Sequence, residues 1–486
     1  MIYDNLLELT ARAPTMSGLR QRETFTPYAA LVERIGRLAA DFIERGIERG
    51  DPVALLIPNS PDLFVNAHAL FAIGAIAMPL GVTATRSELA TLTRKAGLAA
   101  VISTPGLAAA AEMLIADTAS GIPLFLTNAM PAGRATAQLP QLPGDTTALY
   151  LFSSGSTGSP KVVPHTHAEL IADGERGGTA WDIQPDDIVL DILPGNFAMG
   201  FALGAMQAVA RGATTLYWSD PLPLMFSRKK LLDTMVGERV TVMGAVPAMY
   251  EIVAGQPGSV DLGLRLAFSG GAALTRPIFE TVRERLGITL RQAYGSTESI
   301  LFSHNNSADP DASWASVGKP AGDARGRIAP FDTDLGPSVG ELEVRSSSLM
   351  RGYLGDTSAN AQAFDGGWFR TGDLASLDDE GRIFIRGRSK LLIEVSGYKI
   401  DPIEVEETLM TLPTVADAAV AGVPDPRTGN QLIAFVVKGA DVSADELIRN
   451  ARKRLSVQKV PAEIVFLDAL PRSPTGKLLR GRLREL

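Results

Sequence analysis

Ser153-Ser154-Gly155-Ser156-Thr157-Gly158-Ser159-Pro160-Lys161 follows an apolar run, Ala148 to Phe152, and precedes a helix-forming stretch, His167 to Ala172. Glycines let successive backbone N–H groups turn inward, hydroxyls add donors and a lysine supplies charge, which is what wrapping a polyphosphate requires. No Gly-Lys-Ser/Thr closes the run, so it is not a Walker loop and a P-loop kinase is disfavoured. A flexible Gly/Ser surface loop has the same composition; the position after a strand favours phosphate.

Outward from this loop the chain alternates. Thr26 to Gly46 reads as an amphipathic helix, with Leu31, Ile35, Leu38 and Phe42 at helical spacing. Asp51-Pro52 turns the chain into a short apolar strand, Val53 to Ile57. A helix from Pro61, a turn at Pro79, a polar helix from Arg86 to Ala96 and a strand from Ala99 to Ser103 follow. Such alternation implies a parallel-rich sheet with helices on its faces. Residues 131–146, rich in Pro, Gly, Thr and Gln, read as a linker or surface loop, and the alternation resumes from Ala148 to about Thr289.

Beyond residue 320 the strands become short and turn-bounded, as in Gly340 to Arg345 and Gly381 to Arg386, which suggests a small barrel-like subdomain. Residues 391–486 read as a small α+β unit. Its elements are a helix (Pro402 to Met410), two strands (Val415 to Val423, Gln431 to Lys438), a helix (Ala444 to Leu455) and a strand near Ala462 to Leu467. A basic tail with Arg472, Lys477, Arg480, Arg482 and Arg484 is expected to face mostly solvent. The expected fold class is therefore α/β, with a large N-terminal domain, a barrel-like piece and a small C-terminal domain.

Composition narrows the function classes. Lys plus Arg make 46 and Asp plus Glu make 54 of 486 residues, a net charge of −8. That balance argues against a nucleic-acid partner, so anionic ligands must be met by local sites. Cysteine is absent, which removes thiolate nucleophiles and Cys-type zinc sites, and any thiol must come from a partner. A cytoplasmic protein is the simplest expectation. The N-terminal segment lacks a basic region followed by an apolar stretch, so it does not read as a signal peptide. The longest apolar run, Leu63 to Leu80, holds Asn66, His68 and Gly74 and reads as a buried helix, not a transmembrane segment.

Six further motifs follow the loop in order: Ser269-Gly270-Gly271-Ala272-Ala273-Leu274, Tyr294-Gly295-Ser296-Thr297-Glu298, Thr371-Gly372-Asp373, Gly387-Arg388-Ser389-Lys390, Ser396-Gly397-Tyr398-Lys399 and Pro471-Arg472-Ser473-Pro474-Thr475-Gly476-Lys477. On these, nearly the whole chain resembles the adenylate-forming superfamily of acyl-CoA synthetases, aryl-acid ligases, luciferases and adenylation domains. It is most similar to an acyl- or aryl-CoA ligase. The resemblance implies ATP, Mg²⁺ and coenzyme A, or a phosphopantetheine, as cofactors. It also implies a residue-by-residue site. Ser153, Ser154, Gly155, Ser156, Thr157, Gly158 and Lys161 would hold phosphates. Gly271 and Ala272 would line adenine, with Tyr294 stacked on it beside Gly295. Thr297 would donate to the α-phosphate and Glu298 would hold Mg²⁺. Asp373 would accept from the ribose hydroxyls, with Arg388 in contact. Asn196, Phe197, Gly270 and Gly295 would meet the acid. Lys477 would stabilise the charge that crowds onto the α-phosphate. Lys390 would be a hinge, about which residues 391–486 swing relative to residues 1–387 across 388–390, bringing Ser396, Gly397 and Tyr398 to the thiol tunnel.

Some residues depart from the family pattern. Val162 stands after Lys161 where glycine is common. Leu193-Pro194-Gly195-Asn196-Phe197-Ala198-Met199-Gly200 carries Asn-Phe where many CoA ligases have Phe-His, and no acid lies in the segment to offset a buried ammonium. An α-amino-acid substrate is thus disfavoured, and an apolar, aryl or fatty acid is expected. The Asn-Phe pair has some likeness to aryl-acid ligases. His165 and His167 read as supporting or surface residues, and Arg228-Lys229-Lys230 as a solvated charge run. Coenzyme A is the expected acceptor and an acyl carrier protein the alternative partner. An oxygenase of luciferase type and a non-catalytic ATP-binding protein are the rivals.

Overall fold

The helix Pro61–Ile73 is buried on every face from Leu63 onward, as its apolar sequence, interrupted only by Asn66 and His68, favours. Ser60 caps its start by accepting from the Leu63 N–H, and Gly74 ends it in the left-handed region. Phe64 and Phe71 are among the largest fully buried side chains. Truncating either to alanine would cost ~3–5 kcal/mol. In the computed structural model, the described residues are all of 1–486 except 13–16, 119–120, 129–138, 154–159, 221, 257–260, 332–334, 336–337, 396–397, 426–428, 473–477 and 484–486. They form two compact units, 1–325 with 345–367, and 326–344 with 368–486.

The first unit holds two sheets. One runs, in spatial order, Leu124–Leu126, Ala100–Ser103, Pro52–Leu56, Ile76–Pro79, Thr147–Ser153 and Lys161–Thr166. Its neighbours pair parallel except the last two. The other runs Lys319–Pro320, Ile300–His304, Arg291–Ser296, Leu266–Ser269, Val242–Ala245, Ile188–Asp191, Thr214–Tyr217, Gly18–Gln21 and Thr24–Pro27. Its interior pairs are parallel, from Gly18–Gln21 across to Arg291–Ser296. The expected helix from Thr26 starts at Tyr28 instead, because Thr24–Pro27 joins the sheet edge.

The loop at 153–161 is not followed directly by a helix. Lys161–Thr166 turns back as a strand against Thr147–Ser153, and the helix His167–Ala180 begins only after it. Val162 and Val163 are buried, and β-branched residues facing a core favour the strand. The strand Lys161–Thr166 therefore separates Lys161 from the N-terminus of the helix His167–Ala180. The polar helix Arg86–Ala96 matches its expected bounds, fixed by the Thr85–Glu88 capping box and Gly97.

The second unit begins with antiparallel strands Arg325–Pro330, Gly340–Arg345, Trp368–Leu377 and Ile383–Arg388. A short hairpin, Ile393–Val395 with Tyr398–Ile400, leads to the helix Pro402–Met410. Strands Val415–Asp425, Gly429–Lys438 and Glu463–Leu467 form a sheet, with the helix Ala444–Arg452 between the last two in sequence. Val405, Leu409, Val420, Val436 and Leu447 make its core. The basic tail is less solvated than expected. Arg480 donates to both oxygens of the buried Glu406, whose Oε1 also accepts from the Val420 N–H at 2.6 Å, and Arg472 pairs with Asp417 at 2.6 Å. A buried carboxylate needs such a partner, and the tail supplies it. Among the described residues no helix is long and apolar enough to cross a membrane.

Candidate active site

Lys161 opens the second arm of the hairpin, opposite Ser153. Its ammonium lies 4.3 Å from the centre of the Tyr353 ring. Lys95, in the last turn of Arg86–Ala96, donates to the Pro160 carbonyl at 2.7 Å and braces the base of the loop. Ser154, Gly155, Ser156, Thr157 and Gly158 lie outside the described residues.

The Tyr294–Glu298 segment turns tightly between two antiparallel strands, with a register shift at Tyr294 and Gly295. A side chain on Gly295 would put its first carbon 1.7 Å from the Ile300 carbonyl oxygen, so only glycine fits. Ile300 itself has φ of 54°, a strained value for a β-branched residue. The turn is held from several sides. Ser296 Oγ accepts from the N–H groups of Glu298 and Ser299, each at 3.2 Å. The ring N–H at His165 Nε2 donates to the Thr297 carbonyl at 2.8 Å, since a carbonyl can only accept. Asp173, fully buried, accepts from the Leu301 N–H at 3.0 Å and from Gln207 at 2.9 Å, and Arg176 donates to the Leu301 carbonyl at 2.9 Å. Burial raises the Asp173 pKa, and Arg176 and these hydrogen bonds oppose the rise.

Glu298 is buried, and its Oε1 accepts from the Tyr353 hydroxyl at 2.9 Å. Its carbonyl accepts from the Met350 N–H at 2.9 Å. Burial first, then the Glu298 charge, pushes the Tyr353 phenol far above its ordinary pKa, so it remains a neutral donor. Tyr353 thus joins the hairpin lysine to the Tyr294–Glu298 turn. Sequence reading missed Tyr353, Asp173 and Arg176, and it left His165 as a supporting or surface residue; these contacts span long separations in the chain and leave no local spacing to read.

Gly270 follows the buried strand Leu266–Ser269. A first side-chain carbon there would lie 3.1 Å from Met199 Sδ and 3.3 Å from the Ala293 carbonyl oxygen. Gly271 then takes φ of 75° and, with Ala272, is exposed. Asn196 is partly buried, its amide nitrogen 3.3 Å from where a side chain on Gly81 would begin, and Phe197 is 39% exposed. Met199, Gly270 and Ala293 therefore meet toward the carboxyl ends of strands of one sheet, the usual ligand side of an open parallel sheet. His167 is not at the surface: it is buried, with its ring 6.0 Å from that of Phe71. Lys229 and Lys230 are solvated as expected, paired with Asp233 and Asp220.

The remaining sequence-predicted residues lie in the second unit. Asp373 is buried, and its Oδ1 accepts from Arg388 Nε at 2.5 Å across the paired strands. Thr371 Oγ1 accepts from the Asp373 N–H at 3.0 Å and donates to the Leu342 carbonyl at 2.7 Å, which fixes this part of the strand Trp368–Leu377. Lys390 lies in a single helical turn, Ser389–Leu391, and Tyr398 is 45% exposed. Ser396, Gly397 and Lys477 lie outside the described residues.

The fold that positions these residues is shared with known proteins. Residues 10–354 match the AMP-binding enzyme family, and residues 404–477 match the AMP-binding enzyme C-terminal domain. The chain belongs to the AMP-binding enzyme family. It is 32% identical to a feruloyl-CoA synthase from Amycolatopsis sp over 97% of this chain and 96% of that protein. ATP-bound MatB from Rhodopseudomonas palustris is similar with a TM-score of 0.90 at 25% identity, covering 100% of this chain and 99% of that one. The o-succinylbenzoate CoA synthetase MenE from Bacillus subtilis, with its acyl-adenylate OSB-AMP, gives 0.89 at 26% identity, covering 99% and 98%. The chain is an AMP-forming acid–thiol ligase, a class that uses ATP and coenzyme A and makes acyl-CoA by way of acyl-AMP.

Proposed function

We propose that this chain activates an apolar, aryl or fatty carboxylic acid on the residues just described and passes the acyl group to coenzyme A. The observation that carries this reading is the Lys161–Tyr353–Glu298 cluster, which sets a cation and a buried carboxylate beside one glycine-braced turn. In the first step a carboxylate oxygen of the acid attacks the α-phosphorus of ATP, the bond to the bridging oxygen breaks, and pyrophosphate leaves. In the second step a thiolate sulfur attacks the acyl carbon and AMP departs with the electron pair of the broken C–O bond.

The residues divide the work. Ser153 to Gly158 and Lys161 bind the phosphates. Tyr294, Gly271 and Ala272 bound the adenine, and Asp373 with Arg388 takes the ribose. Thr297 donates to the α-phosphate. Glu298 has the buried, hydrogen-bonded carboxylate that suits a Mg²⁺ ion, which when bound would neutralise phosphate charge. Lys477 places an ammonium on the charge that develops at the α-phosphate. Lys390 is proposed as the hinge of 388–390, with 1–387 and 391–486 as the bodies it separates, although residues 326–344 and 368–387 pack with the C-terminal ones. Ser396, Gly397 and Tyr398 would line the thiol path; the run Ser396 to Ile400, followed by Asp401-Pro402, supports coenzyme A over a carrier protein.

Asn196, Phe197, Gly270 and Gly295 are proposed to meet the acid. The exposed Phe197 and the Met199 sulfur beside Gly270 favour an apolar or aromatic group there, and the feruloyl-CoA synthase relative agrees with an aryl acid. A pyrophosphate–ATP exchange screen over aryl, fatty and polycyclic acids tests the reading. Exchange with apolar acids and none with amino acids is expected, and the reverse would refute it. Turnover with free coenzyme A against a phosphopantetheinylated carrier protein tests the acceptor. A cytoplasmic location is proposed because ATP and coenzyme A are found there; cell fractionation checks it.

A further inference from the structure

The side chain that joins Lys161 to Glu298 sits in Met350-Arg351-Gly352-Tyr353-Leu354, a segment whose composition signals neither phosphate nor metal. That segment is stapled at both ends. The Met350 N–H donates to the Glu298 carbonyl at 2.9 Å, and the Leu354 N–H donates to the Val162 carbonyl, one residue past Lys161, at 3.1 Å. Between them, the Tyr353 N–H donates to Asn360 Oδ1 at 2.7 Å, and the Tyr353 carbonyl accepts from Asn360 Nδ2 at 3.0 Å. The ring therefore has a fixed place. One face carries the Lys161 ammonium at 4.3 Å, and the hydroxyl donates to Glu298 Oε1 at 2.9 Å.

We propose that Tyr353 is a positioning residue for adenylation, a neutral spacer that holds the Lys161 cation and the Glu298 carboxylate close without letting them pair. An ammonium free to reach a carboxylate in a poorly solvated site makes a short, charge-assisted bond, and both charges are then consumed. An aromatic face attracts the ammonium through its quadrupole and leaves its charge available. A phenol donates to the carboxylate and leaves its charge available as well. The donated bond also occupies one Glu298 oxygen and thereby orients the other. The spacer role rests on the reading of Lys161 as a phosphate lysine and Glu298 as a metal carboxylate.

The test is calorimetric binding of ATP to the full chain, with Mg²⁺ and with EDTA, alongside the melting temperature of each ligand-free protein. Tyr353→Phe keeps the ring and removes the donor. MgATP affinity should fall by roughly tenfold, metal-free ATP affinity should stay as in the parent, and melting should hardly move. Tyr353→Leu removes ring and donor together, which frees Lys161 to pair with Glu298, so affinity should fall both with and without metal. A Tyr353→Phe protein that binds MgATP like the parent, or that loses the same factor in Mg²⁺ and in EDTA, would overturn the proposal. If Tyr353→Leu fails to fold, Tyr353→Phe decides alone. Glu298→Gln separates the two possible failures. A metal-dependent gain that survives Glu298→Gln overturns the metal reading and the proposal with it. A gain lost in Glu298→Gln but kept in Tyr353→Phe overturns the proposal only.

Discussion

Glu298 and Asp373 are both buried carboxylates, one at a turn of the first compact unit and one within a strand of the second, and they differ in the charge of their partners. Glu298 accepts from the neutral Tyr353 phenol at 2.9 Å, whereas Asp373 accepts from the Arg388 guanidinium at 2.5 Å. A carboxylate beside a neutral donor keeps its charge for a cation. A carboxylate beside arginine is already compensated, and its remaining lone pairs suit neutral donors such as ribose hydroxyls. The proposed division, metal for Glu298 and ribose for Asp373, comes from the family resemblance, and that contrast supports it.

The largest effect expected outside these two carboxylates is at Lys477. Lys477→Ala should lower acid-dependent pyrophosphate–ATP exchange by ~10²–10³ yet leave transfer from a supplied acyl-adenylate largely intact. A parallel loss of both steps in a folded protein would remove Lys477 from the first step's chemistry. Next is the hinge. Lys390→Pro fixes φ at the proposed pivot; thiol transfer should fall on the order of 10² while adenylation stays nearer normal, by analogy with other losses of positioning. Unchanged overall turnover would count against the swing. Asp373→Asn should weaken ATP and AMP alike by roughly tenfold, with no dependence on Mg²⁺, because a carboxylate acceptor is lost and no metal contact. A Mg²⁺-dependent loss would erase the contrast with Glu298.

Stability should also depend on pH, and the buried histidines of the first unit and Asp401 of the second should contribute with opposite sign. In the first, burial lowers the pKa of His68, His167 and His304 to about 4. The unfolded chain binds protons there first, so stability present above the ordinary histidine pKa should be lost as pH falls from about 6.5 to about 4, by ~3 kcal/mol per histidine. In the second, burial raises Asp401 to about 7. The folded chain holds that proton, so its contribution is greatest at low pH and should be lost as pH rises from about 4 to about 7. Side-chain titration of His68, His167, His304 and Asp401 followed by NMR across pH 4 to pH 7 checks both signs; a histidine that titrates at about 6.5 in the folded chain, or an Asp401 that titrates at about 4, would refute the assignment.

Much of this was legible in the chain. The bounds of Arg86–Ala96 and Pro402–Met410 follow from the caps at Thr85, Gly97 and Asp401, local signals that sequence carries directly. The motif residues Gly270, Gly271, Gly295 and Glu298 could be picked out because their motifs resemble those of the adenylate-forming superfamily, in the same order along the chain. The hairpin at Lys161–Thr166 was not legible, since its valines fit a strand only once a core is present to receive them. Nor was Tyr353, which stands 55 positions from Glu298; only the topology of two sheets brings them together. Arg480 looked like a solvated tail residue because its partner, Glu406, lies 74 positions away.

The contrast between the two carboxylates is tested most directly by running each half-reaction separately on Glu298→Gln. If Glu298 serves the metal and the phosphates, pyrophosphate–ATP exchange should collapse while transfer from preformed acyl-adenylate to coenzyme A persists, in a protein that still melts as a folded chain. Equal loss of both half-reactions, or exchange as fast as in the parent, would contradict it.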